Sequence, residues 1–342
     1  MHSVAGPMSG VGASRRLRIM SVAGPWLVTA VLFVAVIVTG AEALAPGPMD
    51  LATLAFLYVS GSWGLVLATV GALIAFRRPE NRIGRLLQIS GLLIASCFLG
   101  FTVAADPSAS PGPADPVAGI AGWWASTTIF LAIFLAFPVL GILYPDGRLP
   151  GRRWRLPILI LVLVQLATGL MYAVKAGPVG SDLPDNPFGL VDVPPGIRDA
   201  LESLAMLSLV VGMGFAIVAI AIRWRRGNLV ERSQLKWLFA ALVVAGITVP
   251  LTSAASQGGP PSVVATLGVG SALLIPIAVG IAILRYRLYD IDRLVSRTVS
   301  WAVVTGVLVA VFAGVVVALQ AALAGATQGA TLAVAASTHV AF

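Results

Sequence analysis

Residues 156–174 read Leu-Pro-Ile-Leu-Ile-Leu-Val-Leu-Val-Gln-Leu-Ala-Thr-Gly-Leu-Met-Tyr-Ala-Val. They are nineteen positions without a charge, entered through Arg152-Arg153-Trp154-Arg155 and left through Lys175. At a rise of 1.5 Å per residue such a helix is about 28 Å long, close to the ~30 Å of hydrocarbon in a bilayer. The run is too long and too uniformly apolar for a barrel strand, which alternates over about ten residues. In lipid the backbone groups must be satisfied within the segment, and a helix does that. The reading that decides the fold is therefore a transmembrane helix.

Working outward, the same pattern recurs on both sides. Earlier runs span Trp26 to Leu44, Leu51 to Phe76, Ile83 to Ala104 and Ala118 to Leu143. Later ones span Leu201 to Ile222, Trp237 to Ala255, Val263 to Leu284 and Trp301 to Leu323, and a tenth begins near Ala330 and meets the last residue, Phe342. The expectation is an all-α, polytopic transmembrane bundle of about nine full spans plus a truncated tenth. It divides into a cytoplasmic amino-terminal tail (1–25), a transmembrane domain (26–323) and the start of a final segment (324–342). Composition agrees. Of 342 residues, 58% are hydrophobic and 11% charged, less than half the roughly 25% of charged residues in a soluble protein. Mean hydropathy is +0.96. The single cysteine, Cys97, excludes a disulfide framework.

The net charge of +8 is explained by topology. With the amino terminus in the cytoplasm, 20 of the 22 Lys and Arg residues fall on the inner side, and only Lys175 and Arg198 fall outside. The opposite orientation reverses that ratio, against the positive-inside rule. Anionic lipid headgroups are the expected partner of these arginines, and nucleic acid is not needed to account for them. Trp26, Trp154, Trp224, Trp237 and Trp301 lie at expected inner interfaces and Trp123 and Trp124 toward the outer one, the depth an indole prefers. Arg15-Arg16-Leu17-Arg18 before the first run, with Ala43-Leu44-Ala45 after it, also fits a cleaved signal peptide. The length of the run favours an uncleaved first helix.

The residues offer no catalytic constellation. His2 and His339 stand apart, nothing clusters for a metal, and no cofactor motif is present. The spans carry essentially no ionisable side chain, which counts against an ion-coupled transporter. Gln165 and Gln320 are read as packing partners. Small residues recur every fourth position at Ser60, Gly64, Ala68 and Ala72, and again at Gly306, Ala310, Gly314, Ala318 and Ala322. Such stripes bring helix backbones close, inside the bundle or across a homodimer seam. Pro138, Pro250 and Pro276 should kink their helices.

The loops carry the specific information. Arg77-Arg78-Pro79-Glu80-Asn81-Arg82-Ile83-Gly84-Arg85 follows the second run, and Tyr144-Pro145-Asp146-Gly147-Arg148-Leu149-Pro150-Gly151-Arg152-Arg153-Trp154 follows the fourth. Pro-Asp-Gly presets a turn, and the flanking arginines can reach headgroup phosphates. Asn186-Pro187-Phe188-Gly189-Leu190 lies in the long external loop, and Glu231-Arg232-Ser233-Gln234-Leu235-Lys236-Trp237 enters the seventh run. Arg285-Tyr286-Arg287-Leu288-Tyr289-Asp290-Ile291-Asp292-Arg293 leaves the eighth. On its own composition that last segment fits an amphipathic helix on the headgroups, either relaying movement of the eighth helix or serving as an inert connector.

In this order the segments resemble the membrane-embedded amino-terminal sensor region of actinobacterial sensor histidine kinases, from the second helix to the end of the chain. The resemblance implies an integral membrane sensor module detecting an unknown cue. A cytoplasmic linker, often with a GAF-type domain, would follow, then a kinase core that autophosphorylates a histidine and serves a response regulator. This chain contains no such core and is expected to be a fragment. The resemblance favours a signal-relay role for Arg285, Tyr286, Arg287, Tyr289, Asp290, Asp292 and Arg293. Phe188 is the candidate external contact, as an apolar loop tip without a core of its own, although it could equally lean on the membrane. A transporter or permease is the rival reading.

Overall fold

A computed structural model describes residues 9–43, 51–104, 116–178, 183–227, 229–255 and 263–285. Its elements are helices α1 (Ser9–Ala43), α2 (Leu51–Arg77), α3 (Arg82–Ala104), α4 (Pro116–Leu143), α5 (Arg155–Val174), α6 (Pro195–Arg226), α7 (Leu229–Ala255), α8 (Val263–Ala272) and α9 (Leu274–Arg285). Among the described residues the only extended pairings are two isolated bridges in the α5–α6 loop, Lys175 with Val191 and Pro178 with Asp185. Seven helical stretches among them are long and apolar enough to cross a membrane, the first being Met20–Gly40 within α1 and the last Thr266–Leu284. α7 adds the shorter apolar stretch Gln234–Ala245. Of the nine full spans expected, the one at 301–323 lies outside the described residues, as does the partial run at 330–342, and the one at 237–255 is met only by this shorter stretch, so the described spans number seven.

The expected boundaries of the second to fifth runs hold to within two residues, while α6 and α7 begin six and eight residues before the expected Leu201 and Trp237. Three further differences are local. α1 begins at Ser9, so its helix reaches well into the tail. α4 widens into a π-helical turn at Leu135–Val139 that contains Pro138, which relieves the pressure of the proline ring on the preceding turn. The run 263–284 is broken at Leu273, between α8 and α9. The break lies three residues before Pro276 because a helical proline cannot bond the carbonyl four residues back, at Ala272, and its ring crowds it.

α3 sits at the centre of one layer, packed on α1, α2 and α4, while α2 also receives α8 and α9, and α5 and α6 pack beside α4. The α2–α3 contact shows why. A Cβ built at Gly91 would meet the Gly64 carbonyl oxygen at 2.6 Å and the Ala68 nitrogen at 2.7 Å, and one built at Gly64 would meet the Gly91 oxygen at 2.7 Å. The backbones touch, as small residues permit where lipid removes the hydrophobic drive for association. The contact line runs Gly64, Ala68, Gly71, Ala75, and Ala72 is only half-buried. The step shortens from four to three because a helix turns every 3.6 residues, so a strict four-residue stripe drifts off the seam. This stripe is used inside the bundle; the one from Gly306 lies outside the described residues.

Side chains are distributed for lipid, large apolar ones outward. On α5, Leu156, Leu163 and Leu170 are 65%, 53% and 64% exposed, while Leu161, Gln165, Thr168, Gly169 and Met171 face inward. A helix in water would turn those leucines in.

Candidate functional site: the arginine-bearing end of the bundle

The turns after α2, α4 and α6 and the end of α9 meet at one end of the bundle. Asn81 caps α3, its Oδ1 accepting from the Ile83 N–H at 2.9 Å as an N-cap side chain does. Its amide donates to the Pro145 carbonyl at 3.0 Å, tying the first arginine loop to the second. In that second loop Gly147 has φ +73, a backbone region that glycine enters freely. A Cβ there would also meet the Arg82 Cβ at 2.9 Å. Position 147 is thus restricted by conformation and by space.

Arg223 closes the turn from α6. Its side chain, 14% exposed, lies 3.9 Å from Asp146 Oδ1, donates to the Ile142 carbonyl at 2.7 Å and donates to the Arg148 carbonyl. It therefore satisfies the Ile142 carbonyl in the last turn of α4, where helical N–H partners run out, and the Arg148 carbonyl in the turn that follows. The ion pair itself contributes little, because Asp146 is exposed.

A second thread runs through the core. Tyr144 is fully buried, and its hydroxyl donates to the Gln234 carbonyl at 3.0 Å. The Gln234 side chain, on α7, donates to the Ala282 carbonyl of α9 at 3.1 Å, three residues before Arg285. Beside it Arg232 donates to the Trp224 carbonyl at 3.0 Å, and Lys236 lies 6.0 Å over the Trp224 ring.

Two cavities open among these turns. One of about 230 Å³ lies between Pro145, Leu149, Arg223, Arg226 and Leu235. The other, about 640 Å³, is lined by Val139, Ile142, Leu143 and Ile158 together with Arg82, Arg148, Arg152 and Arg155.

The three loop motifs that stand apart in the sequence thus come together. Of the relay residues, Arg285 ends α9, whereas Tyr286, Arg287, Tyr289, Asp290, Asp292 and Arg293 lie outside the described residues. Phe188 sits at the opposite end, where Asn186 shares its amide among the Tyr172, Ala173 and Lys175 carbonyls at 3.1, 3.2 and 2.8 Å. This closes the carboxyl terminus of α5, and Asn186 Oδ1 accepts from the Phe188 N–H at 2.9 Å. The Phe188 ring meets Trp123 edge-on at 4.8 Å and stays 48% exposed. That loop tip therefore has a partner within the protein.

Mid-bundle, Gln165 donates to Ser208 Oγ at 2.6 Å and to the Ala205 carbonyl at 3.2 Å, joining α5 to α6 as a packing residue. Near the α8–α9 break, Trp63 donates to the Val269 carbonyl at 3.1 Å, and the Thr248 and Ser271 hydroxyls lie 2.5 Å apart. Among the described residues no three His, Cys, Asp or Glu side chains approach closely enough to hold a metal ion.

Arg223 and Gln234 are the site residues that sequence reasoning passed over. The first was one of a basic group and the second one letter in a loop motif; no local pattern distinguishes an arginine that clasps another helix from one in headgroups. Comparisons of the chain with protein-family models, with curated proteins and with solved structures find no match.

Proposed function

We propose that this chain is the membrane-embedded sensor module of a two-component histidine kinase, with its arginine-bearing end in the cytoplasm and its long α5–α6 loop outside. Nine or more spans would carry the cue, through small shifts of packed helices, toward Arg285–Arg293 and an output domain beyond. A signal changes such an equilibrium only by binding its two arrangements unequally.

The observation that carries the reading is the hydrogen-bonded thread from Asn81 through the Tyr144–Pro145 turn to Gln234 and Ala282. It joins α3, α4, α7 and α9 near the carboxyl end of α9. A displacement of α4 is transmitted to α9 through two hydrogen bonds that are shielded from water. The orientation rests on the positive-inside asymmetry.

The test is phosphorylation in inside-out membrane vesicles containing the product of the complete gene, supplied with ATP. The expected result is acid-labile phosphate on histidine, at a level that Tyr144→Phe changes while protein abundance stays the same. No phosphohistidine under these conditions refutes the proposal.

The rival transporter reading draws on the helix break at Leu273 and the Thr248–Ser271 pair beside it. Interrupted helices place polar backbone inside a bundle, as substrate sites require. Uptake of a solute by the same vesicles, abolished by Thr248→Val, would favour it.

A further inference from the structure

The larger cavity at the arginine-bearing end has a composition that the sensor reading does not use. Its lining combines aliphatic residues, Val139, Ile142 and Leu143 of α4 and Ile158 of α5, with four arginines, Arg82, Arg148, Arg152 and Arg155. All four arginines are exposed, and none takes part in an ion pair among the described residues. Asp146, the acid of the same turn, faces Arg223 instead. Four like charges around one cavity repel one another unless an anion lies between them.

We propose that this cavity binds one anionic phospholipid, with the phosphate on the arginines and the start of an acyl chain along the aliphatic residues. Guanidinium groups bind phosphate oxygens two at a time in a fixed plane, and basic pockets between membrane helices suit anionic headgroups. The volume, about 640 Å³, lies within the roughly 300–1,000 Å³ of small-ligand sites. The aliphatic lining decides between two sources of phosphate. A free phosphate gains nothing from Val139, Ile142, Leu143 and Ile158, whereas a lipid does. On α5, Leu156 and Leu159, either side of Ile158, are exposed on the surface of the bundle, so a chain in the cavity continues into the lipid around it.

Native mass spectrometry of the delipidated protein in detergent tests this, with palmitoyl-oleoyl phosphatidylglycerol, palmitoyl-oleoyl phosphatidylcholine and sodium phosphate added separately. Phosphatidylglycerol should be retained as a single tightly held molecule, and the other two should not. Arg148→Gln with Arg152→Gln should weaken retention about thirtyfold, since an arginine beside an anionic headgroup contributes about 1 kcal/mol and 1.4 kcal/mol is a factor of ten. The equal charge removal Arg225→Gln with Arg226→Gln, at the same end but outside this cavity, should leave it unchanged. Gly151 lines the cavity, and a Cβ there would meet nothing within 4 Å. Gly151→Trp therefore obstructs the site with every arginine in place, and should also release the lipid. Equal retention of phosphatidylcholine, equal loss in the Arg225/Arg226 variant, or full retention by Gly151→Trp would each overturn the proposal. Tight binding of phosphate alone would reassign the site to a soluble anion.

Discussion

Gly91→Ala and Gly214→Ala make the same chemical change in two helices, and only the second should raise stability. In a helix interior, alanine is favoured over glycine by about 1 kcal/mol, because glycine loses more backbone entropy on folding. A Cβ at Gly214 would meet no atom within 4 Å, so that variant should keep the gain. At Gly91 the new carbon would stand 2.6 Å from the Gly64 oxygen, where ordinary contact begins at 3.4 Å. α2 and α3 must therefore part by about 0.8 Å along a seam of backbone atoms that cannot turn aside. Forced repacking of this kind costs about 1–3 kcal/mol. Gly91→Ala should thus lie about 1–3 kcal/mol below Gly214→Ala, with the parent between them or level with the former. The lone cysteine supplies the assay. Cys97 is fully buried on α3, so a dye that fluoresces on reacting with thiols reports the temperature at which α3 is exposed. Should Gly91→Ala raise that temperature as much as Gly214→Ala, the backbone contact between α2 and α3 is wrong.

Other consequences can be measured in the same preparation. Gln165→Leu removes the bonds to Ser208 and Ala205, but also removes a buried Oε1 that has no partner among the described residues. Because deleting an unsatisfied group offsets lost bonds, its unfolding should shift by less than about 1 kcal/mol; a loss of several kcal/mol would mean that Oε1 is satisfied. Leu190→Cys, in the exposed α5–α6 loop that the proposed orientation puts outside, should react with an impermeant maleimide on intact cells. Arg148→Cys should react only after permeabilisation, and labelling of Arg148→Cys from outside would reverse the proposed orientation.

The arrangement of the arginine-bearing end was only partly legible beforehand. Tyr144–Trp154 stood out as a turn because Pro-Asp-Gly acts locally. That its tyrosine is buried against Gln234, ninety positions later, depends on which helices are neighbours. In the sequence Phe188 is a loop tip without a core, because its partner, Trp123 on α4, lies 65 positions earlier. The break near Pro276 was visible as a kink, but its place at Leu273 follows from the geometry of the preceding turn.

What the sequence determined by itself is which stretches form the apolar rods. The hydrocarbon layer tests each segment on its own length, apolarity and flanking charge, and these are properties of consecutive residues. Only the tertiary structure decided which faces of the rods meet: that Gly64 and Gly91 bring two backbones into contact, and that Arg82 joins Arg148, Arg152 and Arg155 around one cavity. Every span is apolar nearly all round, so hydropathy does not single out its inner face. That choice is made by the close fit of small residues and a few hydrogen bonds, between partners dozens of positions apart.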